Sequence, residues 1–215
     1  MSRRLKFDIP GPDLRVGKDQ VREKGWEALF SGDLARPFPM VVEIGFGRGE
    51  FLRHLAVERP SVAHVGVEVS FKRVLKMARR LARTGIRNIR LVEGTGQETV
   101  RELLPESSVE TFWVNFSDPW PKERHHRRRL IQPAFLRDLA LRLQPGGCVE
   151  IATDHEGYAG CIDEALVAET LLENAHTPEP FLREVPGRMR TAYELEWLSE
   201  GRALYFWTYR RRGAS

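Results

Sequence analysis

A mostly parallel α/β sheet with helices on both faces follows from three features of this chain. The stretch VVEIGFGRGE, Val41 to Glu50, carries a short apolar strand into Glu43, turns through glycines at 45, 47 and 49, and starts a helix at Glu50-Phe51-Leu52. A second strand, VAHVGVEV, places Glu68 23 residues after Gly45. Beyond it, strands and helices keep alternating, which is the pattern of parallel strands joined by crossover helices.

Taken in order, residues 1 to 17 are basic and broken by Pro10, Gly11, Pro12 and Gly17, so they read as an extended arm. Its Arg3, Arg4, Lys6 and Arg15, with Lys18, suit phosphates or a solvated tail equally. Residues 18 to 30 hold Val21, Trp26, Leu29 and Phe30 at helical spacing with Asp19 as N-cap, a helix expected to cap one sheet edge. Strands are expected at 40–44, 62–68, 89–93, 110–116, 147–153 and 203–209, and helices at 50–58, 70–83, 96–103, 129–143 and 157–174. No linker or repeat interrupts them, so 1–215 reads as one domain.

Composition sets further bounds. A chain of 215 residues, 41% hydrophobic and 30% charged, is large enough for one sizeable core. Its two cysteines, Cys148 and Cys161, fit neither a disulfide framework nor a zinc ribbon, which suits a reducing cytoplasm. The start MSRRLKFDIPGP lacks an apolar signal core, and no run of 18 apolar residues occurs, so a cytoplasmic chain without a membrane span is expected. Net charge is +4 and the isoelectric point about 9.3, with the basic residues bunched, which points to a polyanionic partner.

The glycine turn has the backbone freedom needed for a ligand to lie directly on the main chain. It differs from the pyrophosphate-binding G-x-G-x-x-G pattern: the third glycine comes one place early, and Glu43 and Glu50 would repel phosphate. Two carboxylates suit a ligand without phosphate and with a cationic end, such as S-adenosyl-L-methionine with its sulfonium and ammonium groups. A ligand-free strand-helix turn is the plain alternative. Glu68 stands where an acidic residue grips ribose hydroxyls. Ligands on such sheets bind beyond the carboxyl ends of strands, so Glu43, Glu68, Thr95, Asp118 and Asp154 are the informative positions.

After the fourth strand come Ser117-Asp118-Pro119-Trp120-Pro121-Lys122, Glu123, and the run Arg124, His125, His126, Arg127, Arg128, Arg129. Two prolines stiffen this loop. Asp118 suits a base edge, Trp120 a stacked base and Lys122 a phosphate. Basic charge opening a helix is opposed by the macrodipole, so a compensating anion is expected there, against the plain reading of a solvated helix start. Adjacent histidines on a helix point about 100° apart and no third ligand accompanies them, so no metal is expected.

The motifs EIGFGRGEF, GVEV, FSDPWPKERHHRRR, ATDHEGYA and TAYE, spread over residues 38 to 210, resemble the tRNA (guanine-N7)-methyltransferases of the bacterial single-chain type. The resemblance implies a Rossmann-like class I methyltransferase fold with a seven-stranded sheet, S-adenosyl-L-methionine as cofactor, and tRNA as substrate, methylated at guanine 46. It implies that Glu43, Gly45, Gly47, Glu68, Thr95 and Asp118 bind the cofactor, with Asp118 also catalytic. The family usually carries an aspartate where this chain has Thr95, which offers a hydroxyl or its amide to the adenine. Lys122, Asp154, Thr191 and Glu194 would contact substrate, and residues 124 to 129 would meet RNA. A helix N-cap at Asp154 and a capping box between Thr191 and Glu194 are compatible plain readings. The chain is expected to be a monomer or a homodimer.

Guanine N7 has an in-plane lone pair and no proton, so methyl transfer to it needs alignment and not a general base. A carboxylate at Asp118 would stabilise the positive charge that develops on the ring. Two rivals remain: an amino-group methyltransferase, whose corresponding loop has two prolines before its aromatic ring, and a non-catalytic RNA-binding protein that kept the fold. A nicotinamide dehydrogenase is disfavoured by Glu50.

Overall fold

The computed structural model describes residues 7 to 213, so Arg3, Arg4 and Lys6 of the expected arm lie outside the described residues. In chain order the strands are β1 Arg15–Val16, β2 Met40–Ile44, β3 Ala63–Glu68, β4 Ile89–Glu93, β5 Val109–Asn115, β6 Leu143–Thr153, β7 Leu172–Asn174 and β8 Tyr205–Arg211. They form one sheet in the order β1-β4-β3-β2-β5-β6-β8-β7. Pairing is parallel from β1 through β6, with Glu43 opposite Gly66 on one side and Trp113 on the other. β8 runs antiparallel to both β6 and β7. From β2 the chain first builds outward through β3 and β4, then returns to lay β5 on the opposite side. The crevice beyond the carboxyl ends of β2 and β5 is therefore the topological switch point.

The helices are α1 Lys18–Phe30, α2 Glu50–Glu58, α3 Phe71–Leu81, α4 Gly96–Leu103, α5 Pro133–Arg142, α6 Glu156–Ala168 and α7 Ala192–Ser199. They divide between the sheet faces by their apolar stripes. Trp26 and Phe30 of α1, Val100 of α4, Leu136 and Leu139 of α5 and Ile162 of α6 bury into one core cluster. Leu52 and Ala56 of α2 with Val74, Met77, Ala78 and Leu81 of α3 form the second.

The sheet has eight strands, where the resemblance implied seven and the apolar runs placed six. The additions are β1, lying within the expected arm, and β7, lying within a helix expected to reach 174. At two and three residues, neither carries enough alternation to declare a strand; β1 exists because it pairs with Leu91 and Val92, and β7 because it pairs with β8. Gly17, not Asp19, caps α1, while Asp19 pairs with Arg22 at 2.9 Å. Arg15 and Lys18 are engaged within the chain by Asp13 and Glu98.

The basic run also departs from expectation. It does not open the helix at 129: Glu123–Arg128 is a separate 3-10 helix, and α5 starts only at Pro133, with Pro at N1 after extended Gln132. These cations therefore do not open α5, and its macrodipole calls for no anion beside them. Among the described residues no helix is long and apolar enough to cross a membrane, and no cluster of three His, Cys, Asp or Glu side chains is placed to hold a metal.

Candidate active site

The glycine turn follows β2 with φ of 76° at Gly45, 55° at Gly47 and 72° at Gly49. Such angles are open to glycine and strained for other residues. Gly45 N–H donates to the Val67 carbonyl at 2.8 Å, fastening the turn to β3. A Cβ at Gly49 would also stand 2.5 Å from Met77 Sδ. Glu68 braces the same turn: Oε2 accepts from Gly47 N–H and Oε1 from Ser70 N–H, each at 3.0 Å.

Glu43 ends β2 in a different state. It is buried, Oε1 accepts from Asn115 Nδ2 at 3.4 Å, and Oε2 has no partner. Burial raises its pKa to about 7, against the lowering effect of Asn115 and of the Arg188 charge. A buried acceptor without a donor is costly, so this oxygen fits a ligand that brings a donor or a positive charge. That is a match to an ammonium or sulfonium and a mismatch to phosphate.

Two adjoining cavities of about 300 and 250 Å³ lie at the switch point and share Gly45, Arg73, Asn115, Phe116 and Asp118. Glu68, Thr95, Gly96 and Trp120 line the first; Glu43, Gly47, Thr191, Tyr193 and Trp197 line the second. Asp118 is exposed and stands where they meet. Thr95 is the N-cap of α4, its hydroxyl accepting from Glu98 N–H at 3.2 Å.

The loop that presents Asp118 is strained. Phe116 and Trp120 have φ of 54° and 43°, a region costing a non-glycine residue roughly 1–3 kcal/mol. Tertiary contacts hold both ends: Phe116 N–H donates to the Ala152 carbonyl at 2.8 Å and its ring meets Trp197 edge-on at 4.8 Å. Arg129 Nε donates to the Pro119 carbonyl at 2.8 Å.

Residues 37–207 match the protein family described as "Putative methyltransferase". The chain is 40% identical over 192 residues to the tRNA (guanine-N(7)-)-methyltransferase of Halorhodospira halophila, covering 89% of this chain and 83% of that one. The chain belongs to this family. A Ralstonia nicotianae tRNA (guanine-N(7)-)-methyltransferase is 39% identical over 88% of this chain and 73% of its own. A Thermus thermophilus relative is 41% identical over 84% of this chain, which spans only 56% of that protein. Among solved structures, the 16S rRNA methyltransferase KamB aligns with TM-score 0.63 at 18% identity, covering 86% of this chain and 94% of that one. The antibiotic-resistance methyltransferase Kmr aligns at 0.59 and 21% identity, covering 88% and 94%. The Rossmann-like class I methyltransferase fold is shared with both.

In this methyltransferase the cleft gathers Glu43, Gly45, Gly47, Glu68, Thr95, Asp118 and Thr191. Four expected site residues are placed otherwise. Lys122 is exposed and outside both cavities. Asp154 is also outside them, paired with Arg202 at 2.9 Å. Glu194 is 1% exposed, with Oε2 accepting from Thr191 N–H at 2.7 Å and Oε1 paired with Arg188, so it supports the cleft from behind.

The fourth, Arg129, is a correction: at 3% exposure it points inward, donating to Pro119 and to Cys161 Sγ, and so shapes the loop and cannot meet RNA. Arg124, Arg127 and Arg128 are exposed, while His125 and His126 are half-buried. Trp120, expected to stack on a base, is covered by the Arg128 guanidinium at 5.0 Å and the His125 ring at 5.8 Å. Tyr193 lies within the Thr191 to Glu194 segment expected at the pocket, whereas Arg48, Arg73, Asn115 and Trp197 line the cleft, with Arg188 behind them, without having been expected there. Asn115 had a signal, as the last polar residue of a strand aimed at the ligand edge.

Proposed function

We propose that this chain transfers the methyl group of S-adenosyl-L-methionine to N7 of a guanine in tRNA, and that the guanine is number 46 of the variable loop. The observation that carries the reading is the placement of Asp118, a carboxylate at the junction of two cavities, beside a turn where Glu43 keeps a buried oxygen without a partner. When bound, S-adenosyl-L-methionine supplies an electrophilic methyl group on a sulfonium. Glu43 receives the cationic end of that ligand, Gly45 and Gly47 let it lie on the backbone, and Glu68 accepts from ribose hydroxyls through its remaining lone pairs. Thr95 faces the adenine.

Asp118 holds the guanine by its N1 and N2 hydrogens and stabilises the positive charge that grows on the ring, taking no proton. Thr191 closes the far side of the second cavity. Lys122, Arg124, Arg127 and the two half-buried histidines meet RNA outside the cleft, Arg128 meets it at the rim of the first cavity, which it lines, and Asp154 reaches the base only after exchanging Arg202 for it. The chain acts as one methyltransferase domain.

Incubation with methyl-labelled S-adenosyl-L-methionine and unmodified tRNA, followed by nucleoside identification, tests this reading. Labelled 7-methylguanosine is expected, and its loss from a transcript with adenine at position 46 would place it. Label on an exocyclic amine would favour the amino-group methyltransferase instead. Binding of tRNA without uptake of the donor would favour the non-catalytic reading.

A further inference from the structure

We infer that the outward face of α3 is a second RNA-backbone contact, leading away from the mouth of the cleft. This rests on the tRNA reading above and names a surface that reading does not use. From Val69 to Val92 the chain holds eight Lys and Arg residues and no Asp or Glu, against 34 and 30 in the whole sequence. The remainder is therefore net acidic.

The helix sorts these residues by face. Val74, Leu75, Met77, Ala78 and Leu81 are buried, while Lys72, Arg73, Lys76, Arg80 and the following Arg83 are exposed. Lys72, Lys76 and Arg80 succeed one another at i, i+4, an arrangement in which like charges repel. Arg73 is paired with Glu68 at 3.4 Å, whereas among the described residues the side chains of Lys72, Lys76 and Arg83 have no hydrogen-bond or ion-pair partner. On the opposite face of the sheet Arg22 is paired with Asp19 and Glu102, Arg101 with Asp138, and Arg137 with Glu169. An external polyanion is the missing partner on α3.

Position selects RNA. Arg73 lines both cavities, and Arg80 Nη1 donates at 3.0 Å to the carbonyl of Arg48, whose own side chain lies over Tyr193 in the cleft. The charged row thus starts at the reacting end of the molecule and runs along the roughly 16 Å that eleven helical residues span. An anionic membrane fits poorly, because the apolar side of α3 is already buried in the core and has nothing to insert.

The test measures binding of unmodified tRNA to the full chain across a salt series. It compares wild type, K72Q/K76Q/R83Q, the charge-keeping K72R/K76R/R83K, and a matched loss of three charges at α1 and its exit, R22Q/K24Q/R36Q. The α3 triple is expected to bind about tenfold or more weakly, with the slope of log K against log salt reduced by about 2. Donor affinity and melting temperature should stay at wild-type values, and the charge-keeping variant should bind as wild type. An unchanged affinity and slope in the α3 triple would overturn the inference, as would an equal loss in the α1 triple. If wild type itself does not bind tRNA, the functional reading fails, and with it this one.

Discussion

Arg188 Nη2 donates to the side-chain oxygen of Asn115 at 2.7 Å, tying the strand end beside Glu43 to the segment that begins α7. Arg188 is largely buried, within 4.9 Å of the Phe51 ring centre and 5.1 Å of that of Phe206, and its Nη1 is paired with Glu194. Glu194 in turn caps the helix at Thr191. One buried cation therefore sets the spacing between the cofactor turn and the wall formed by Thr191 and Tyr193.

Removing that cation leaves Glu194 as a buried carboxylate with no counter-charge. Arg188→Ala is expected to lower stability by about 3–5 kcal/mol in urea denaturation. R188A/E194Q should recover part of the loss, since the stranded charge is then gone. A wild-type midpoint for Arg188→Ala would show that the pair does not hold the two segments together.

Glu150 on β6 accepts from Thr208 Oγ1 at 2.7 Å, and burial raises its pKa from 4.5 to about 7. Between those values the folded chain keeps a proton that the unfolded chain releases, so this group makes stability fall as pH rises from 4.5 to 7 and level off above. Glu43 adds a contribution of the same sign. Glu150→Gln is expected to be more stable than wild type at pH 8, by up to about 3 kcal/mol, with the gain vanishing near pH 4.5. Melts at the two pH values check it; an equal gain at both would mean Glu150 does not titrate in this window.

Asp118 is free of hydrogen-bond partners among the described residues and lies on the surface of the cleft, so its replacement should spare the fold. Asp118→Ala and Asp118→Asn are expected to slow single-turnover methylation about 10²-fold or more at saturating donor, with donor binding measured separately. Wild-type rates in both variants would remove Asp118 from the chemistry.

The arginines after Lys122 should separate by burial. Arg124→Ala with Arg127→Ala removes two exposed charges and is expected to flatten the salt dependence of tRNA binding by up to about 1 per charge, leaving stability within about 0.5 kcal/mol. Arg129→Ala should instead destabilise the chain and slow methylation, because it releases the Pro119 carbonyl and with it the strained loop. Denaturation and salt-titration curves distinguish the two; a purely electrostatic effect of Arg129 would contradict its burial.

Much of the architecture was legible because its signals are local. Apolar runs located β2 to β6 and β8 to within a few residues, apart from the start of β6 at Leu143, four residues before the expected 147. The glycines of residues 45 to 49 announced backbone angles that side chains resist, and the 23-residue step to Glu68 spans one strand-helix-strand unit. The short strands β1 and β7 were not legible, because their existence depends on an edge supplied from elsewhere in the chain.

By itself, then, the sequence determined which backbone can turn tightly, which strands carry carboxylates to the ligand edge, and the family to which this chain belongs. Only the tertiary structure decided what each charged side chain faces. Arg129 turns inward to Pro119, Asp154 meets Arg202 and Glu194 meets Arg188, while Lys72 and Lys76 meet nothing within the described chain. The physical reason is range: turn and strand preferences arise within a few residues, whereas a charge is stabilised by whatever partner folding brings close, and these partners lie 6 to 48 positions away.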